Sequence, residues 1–140
     1  LALGMLSDRL GRIAVMMLCG IFIAIGSWGV VHLEGLSAKY TSVILIGIGF
    51  GAVWPLYSAA AVDFFPKSLA GSVIGLWTVF MGIGSILSPI LCGWMIDTFG
   101  TFTWAFNLGC AIAITAALFL LPLRNTEAGM LRRREGNVTA

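Results

Sequence analysis

Polar positions along the chain come in short clusters, and the stretches between them are apolar almost without interruption. Four such stretches, 13–33, 41–62, 70–95 and 102–121, are divided by segments that carry Glu34, Lys39, Asp63, Lys67 and Asp97. Each has at least 20 residues, and at about 1.5 Å per residue roughly 20 residues cross a hydrocarbon core of about 30 Å. Barrel strands would alternate in segments of about ten residues, and an open sheet could not satisfy its backbone in lipid. The pattern therefore predicts four full transmembrane helices and an all-α, polytopic membrane protein.

Composition says why lipid must cover these helices. Apolar residues make up 59% of the 140 before 18 glycines are counted, and charged residues 10%; a soluble domain has roughly 45–50% and 25%. Such a chain cannot dress itself in polar surface, which excludes a soluble enzyme and a nucleic-acid-binding domain. Cys19, Cys92 and Cys110 all fall inside apolar stretches, where they act as small packing groups. The net charge of +2 matters through its distribution: Arg9, Arg12, Lys67, Arg124, Arg132, Arg133 and Arg134, 7 of the 8 basic residues, share one side of the four crossings, and Lys39 alone takes the other. The positive-inside rule makes the first side cytoplasmic. Both ends of the chain are expected there, with residues 123–140 as a basic tail, in a cell membrane and most simply a bacterial inner one. Leu1 opens in an apolar run without an initiator Met, so further helices of the same protein are expected upstream as partners, beside the lipid bilayer.

Small residues recur at helical spacing as Gly71 and Gly75, as Gly84, Ser88 and Cys92, and as Gly109, Ala113 and Ala117, the rows along which membrane helices approach closely. Gly47, Gly49 and Gly51 lie inside a span with no soluble strand before them, which excludes a dinucleotide loop. Pro55 and Pro89 remove the N–H groups that would serve the carbonyls of Gly51 and Ser85, and predict kinks.

One skeleton occurs twice. Gly4-x-x-x-Asp8-x-x-Gly11 returns as Gly93-x-x-x-Asp97-x-x-Gly100, 89 residues later and three spans on. An odd number of crossings places the copies on opposite faces, as in the inverted three-helix repeats of secondary transporters. Glycine permits a tight helix exit, and Asp at a helix start accepts from free N–H groups and gains from the dipole. Arg9 and Arg12 are placed to pair with Asp8, Asp63 or lipid phosphate.

Gly4, Asp8, Arg9, Gly11 and Arg12 match, position for position, a Gly-x-x-x-Asp-Arg/Lys-x-Gly-Arg-Arg/Lys signature, and in this the chain resembles the major facilitator superfamily of secondary transporters; Ile13 departs from the final basic residue. Gly47-x-Gly49-x-Gly51-x-x-Trp54-Pro55, followed by Asp63-Phe64-Phe65-Pro66-Lys67 and Ala70-Gly71, looks like that family's tenth helix and the loop to its eleventh, and Asp97-x-x-Gly100 like the loop from eleventh to twelfth. The resemblance covers residues 1–122 and implies the end of helix eight followed by helices nine to twelve, a partial bundle of the family. It implies transport of a small solute by alternating access, with helices ten and eleven lining a central cavity and nine and twelve supporting it from outside. It further implies that Gly4, Asp8, Arg9, Gly11 and Arg12 belong to a cytoplasmic gating latch with Asp63 as acidic partner.

Candidates for substrate binding come from the second and third stretches. Trp54 and Tyr57 share a face of the second, while Thr78, Met81 and Ser85 follow helical spacing on the third with Trp77 at the edge. Aromatic surface and exchangeable hydroxyls suit a cavity wall; the same hydroxyls can instead bond preceding carbonyls, and the rings can pack between helices. Asn107 is expected to make an interhelical hydrogen bond. All six acidic and eight basic residues lie in loops or at span ends, so an embedded ionisable group of the kind that marks ion pathways is not expected in this part. Without a metal-ligand cluster, phosphate loop or nucleophile in the sequence, neither a cofactor nor enzyme activity is expected. The alternative to transport is a non-transporting helical membrane module, a receptor or assembly subunit.

Overall fold

The computed structural model describes the backbone of residue 7 and residues 10–138, with side chains at residue 7 and residues 10–123. Among the described residues four helices follow one another: α1 (Arg12–His32), α2 (Leu36–Phe64), α3 (Lys67–Phe99) and α4 (Thr103–Val138). No strand occurs among the described residues. The first three helices and the Thr103–Leu123 part of α4 are each long and apolar enough to cross a membrane. Helical backbone outruns the apolar stretches: α2 starts at Leu36, and α4 runs through Pro122 to Val138, so the segment read as a tail continues the last helix.

The corners explain the repeated glycines. Gly11 closes the first copy of the skeleton with φ 92° and ψ 147°, just ahead of α1. Gly100 closes the second with φ 68° and ψ 4°, ending α3 while its N–H donates to the Ile96 carbonyl at 2.8 Å. A Cβ at either position would crowd the backbone, so glycine is what the corner needs. The expectation that Asp97 starts a helix is corrected: it lies in the last turn of α3. The chain turns only at Gly100, three residues further on, so this exposed carboxylate stands at the negative end of a helix dipole.

Packing is uneven. α1 lies along both α2 and α4, whereas α3 meets α2 and α4 over much shorter lengths and its backbone stays clear of α1. Val15, Cys19 and Leu56 form the buried centre of the α1–α2 seam, with Met16, Ala52 and Val53 around them. Three glycines, Gly26, Gly29 and Gly49, set the seam's closeness. A Cβ on Gly26 would stand 2.6 Å from the Ser42 carbonyl oxygen, and one on Gly49 2.7 Å from that of Cys19. In lipid such contact, rather than transfer from water, drives association. On the other side of α1, Gly20 fits against Ala117 and Ala113 of α4, where an added Cβ would lie 3.3 Å from the Ala117 Cβ. Of the expected small-residue rows, the one in α4 is thus used at Ala113 and Ala117. Those of α3 have no partner among the described residues, since a Cβ on Gly71, Gly75 or Gly84 would meet nothing within 4 Å.

Candidate functional site

The residues of interest fall at three depths of the bundle. At one end of the bundle, Arg12 begins α1 and Asp63 lies in the last turn of α2. Arg12 Nε donates to Asp63 Oδ2 at 2.8 Å, and Arg12 Nη1 donates to the Ser7 hydroxyl at 3.0 Å. A carboxylate at a helix C-terminus opposes the dipole, and the guanidinium supplies the compensating charge. The side chains remain 24% and 41% exposed, so the pair contributes about 1 kcal/mol at most. Its effect is geometric: one guanidinium ties the corner before α1 to the end of α2. Gly11 lies at that corner; Gly4, Asp8 and Arg9 lie outside the described residues. Ser7 went unnoticed in the sequence, although it sits four residues before Gly11, whose N–H donates to the Ser7 carbonyl at 3.1 Å.

One turn and more above this pair, Tyr57 and Trp77 meet across α2 and α3 with ring centroids 5.2 Å apart and planes at 57°. Both line a cavity of about 310 Å³ together with Ile13 and Met16 of α1, Phe64 of α2 and Leu120 of α4. All four helices contribute to this wall, which is apolar apart from the two aromatic tips. The structure therefore divides the expected substrate face: Tyr57 and Trp77 turn toward the interior shared with α1 and α4, and Trp54 does not line that cavity and is 39% exposed. Thr78 and Ser85 are exposed on α3, their hydroxyls donating to the Ile74 and Met81 carbonyls at 2.8 and 2.9 Å. They are brought together neither with Trp54 nor with the aromatic pair by any hydrogen bond among the described residues.

At the opposite end, His32 stacks on Trp28 with centroids 5.0 Å apart, and its Nε2 lies 3.1 Å from Asn107 Oδ1 on α4. Asn107 thus makes its interhelical bond, with a histidine whose role the sequence left open. α1 is pinned to α2 at one end and to α4 at the other. No group of three or more metal-ligating side chains occurs among the described residues.

Comparison with known proteins adds a lineage to this geometry. The sequence model of the Major Facilitator Superfamily matches residues 1–139. Multidrug export protein EmrB of Escherichia coli (strain K12) is 26% identical over 132 residues, which are 94% of this chain and 26% of that protein. Multidrug resistance protein 3 of Bacillus subtilis (strain 168) is 29% identical over 122 residues, 84% of this chain and 23% of the relative. A triacylglyceride transporter of Mycobacteroides abscessus is 29% identical over 121 residues, again 84% and 23%. This chain spans about a quarter of the length of these relatives. No solved structure matches it.

Proposed function

The chain belongs to the Major Facilitator Superfamily, and from that premise we propose that it forms part of a secondary transporter that moves a small solute across a cell membrane by alternating access. α1 to α4 then stand as helices nine to twelve, with helices upstream of them completing the solute path. Residues 7–12, 63–67 and the basic residues after 123 face the cytoplasm in this reading, by the 7-to-1 distribution of Lys and Arg. Transport by the relatives supports a carrier over a receptor or assembly subunit, and over an enzyme.

The observation that carries the reading is the Arg12–Asp63 pair, which joins residues 51 apart at the inner ends of α1 and α2. In a rocking cycle this tie keeps the two inner ends moving as one, with Gly11 supplying the corner and Asp8 and Arg9 extending the latch. Trp54, Thr78 and Ser85 are the solute-contacting candidates that this reading retains on the outside of the four-helix interior, and Tyr57 and Trp77 shape the wall behind them. Uptake and efflux by the full-length transporter in sealed vesicles test this. Arg12→Gln and Asp63→Asn are expected to slow transport while Glu127→Gln is not, and the exchange Arg12→Asp with Asp63→Arg to recover part of the rate. Equal, negligible effects at matched expression would remove the gating role. Single cysteines near 67 and 39 should label from opposite sides; labelling from one side would end the four-span topology.

A further inference from the structure

α1 and α4 hold between them a second cavity, of about 720 Å³, to which no described residue of α2 or α3 contributes. It shares no lining residue with the Tyr57–Trp77 cavity. Its shape follows from helical spacing. Ile21, Ile25 and Trp28 succeed one another on α1 at intervals of four and three residues, and Ile114, Leu118 and Leu121 repeat those intervals on α4, so each set forms one ridge along its helix. All six side chains are exposed. The floor between the ridges is small: Ala24 is buried, and Ala117 lies against Gly20 where the two backbones approach most closely. The groove runs from Met17 to Trp28 on α1 and from Cys110 to Leu121 on α4, about 16 Å along each helix. That is about half of a hydrocarbon core of about 30 Å, the share of one leaflet.

One end of this groove is polar. Trp28 stacks on His32, and His32 Nε2 donates to Asn107 Oδ1. With its oxygen occupied by the histidine, Asn107 keeps both amide N–H groups to give, and the Trp28 indole N–H has no partner among the described residues. His32 ends α1 two residues before Glu34, so these donors stand at the edge of the apolar span, the level at which tryptophan is favoured and lipid headgroups begin. Below them the lining is aliphatic apart from the Cys110 thiol and the Met17 thioether. A further transmembrane helix would dock where small residues let backbones approach; here the small residues lie at the floor, already engaged between α1 and α4, behind ridges of isoleucine and leucine. A thin, flexible apolar chain fits between such ridges, and the donors at one end call for an acceptor at the end of that chain.

We propose that the groove binds a phospholipid from the leaflet on the His32 side, one acyl chain lying between the α1 and α4 ridges and the phosphate accepting from the Asn107 amide and the Trp28 indole. The site rests on the four spans and not on transport. The experiment uses the full-length protein in detergent with Cys110, one turn below Asn107, as its only cysteine and N-ethylmaleimide as the reporter. Phosphatidylglycerol is expected to protect Cys110 saturably and to leave unprotected an Ile112→Cys, Cys110→Ser variant, whose thiol stands on exposed α4 surface outside the groove. Diacylglycerol with the same chains, lacking the phosphate, should need about tenfold more for half-protection, the worth of one hydrogen bond to a charged acceptor. Asn107→Asp keeps an oxygen for His32 but replaces the donor by a carboxylate oxygen; it should weaken phosphatidylglycerol about tenfold and leave diacylglycerol within about twofold. Trp28→Phe keeps the ring and loses only the N–H, and should act in the same direction if the aspartate variant does not elute as monodisperse protein. Equal protection at 110 and 112 would reduce the site to an unselective lipid coat, and equal affinity for the two lipids would mean that no headgroup is read. A Cys110 that stays unmodified in delipidated protein would mean that another part of the protein covers the groove. Each of these results would overturn the proposal.

Discussion

α1 and α3 are both long, apolar, glycine-bearing helices, yet α1 is packed on two sides and α3 almost nowhere. α1 buries seven residues, including Val15, Cys19, Gly26 and Gly29; α3 buries Ala70 alone. Apolarity is thus a statement about solvent, since lipid accepts both helices. Packing needs complementary shape, a glycine on one helix opposite a carbonyl, a hydroxyl or a methyl on the next. α1 has such partners in Ser42, Ile46 and Ala117. The glycines of α3 face open space among the described residues.

The sharpest way to break this contrast lies inside one glycine triplet. Gly49→Ala should lower the thermal midpoint of the full-length protein by the equivalent of about 1–3 kcal/mol, the usual cost of overpacking, because the new Cβ would press on the Cys19 carbonyl and on Ile23. Gly47→Ala and Gly51→Ala should leave it unchanged or higher. Equal losses at all three positions would mean that the open flank of α2 is as tightly packed as the seam. Next come the corners: Gly11→Ala should cost about 1–3 kcal/mol and Gly100→Ala about 1–2 kcal/mol, with Gly100→Asn milder than Gly100→Ala, measured by the same unfolding midpoint. The native cysteines sharpen the comparison without large energies. Cys19 is fully buried on α1 and Cys92 partly exposed on α3, so a small thiol reagent should modify Cys92 and spare Cys19 in folded protein; the reverse order would invert the assignment of covered and open helices. The smallest effects belong to the pins. A double-mutant cycle on Arg12 and Asp63 should give a coupling of about 0.2–1 kcal/mol, and Asn107→Leu should cost about 1 kcal/mol through the lost His32 bond.

Span number, order and approximate limits were legible because a membrane helix must be apolar over a fixed length, a constraint written into every residue from Ile13 to Leu121. The corner glycines were legible as a repeated skeleton, although their conformations were not: the skeleton does not say that Asp97 closes a helix instead of opening one. Spacing placed Trp54 and Tyr57 on one face, yet only Tyr57 reaches the cavity with Trp77, because a neighbouring helix subtends only part of a face and its position is a property of the fold. Thr78 and Ser85 could bond either outward or to their own helix, and the nearby Ile74 and Met81 carbonyls are always within reach, whereas an outside partner is not. Of the three glycines at 47, 49 and 51, alternate positions point to opposite sides of a helix, so one packs and two stay open; which is which depended on where α1 lies. The role of Ser7 had no signal beyond its distance from Gly11.

The two corners made by Gly11 and Gly100 divide shape from address. Each bend rests on a backbone that only glycine adopts comfortably, and such a bend is indifferent to which aqueous compartment it meets. What tells the two apart is a pair of arginines: Arg9 and Arg12 accompany the first copy, while Thr98 and Thr101 occupy the matching places in the second. A three-helix unit with such a corner at each end could sit in the bilayer either way up, its orientation decided by a handful of removable charges. Two copies of one unit, inserted head-up and head-down, would then need no new architecture to face each other across the membrane.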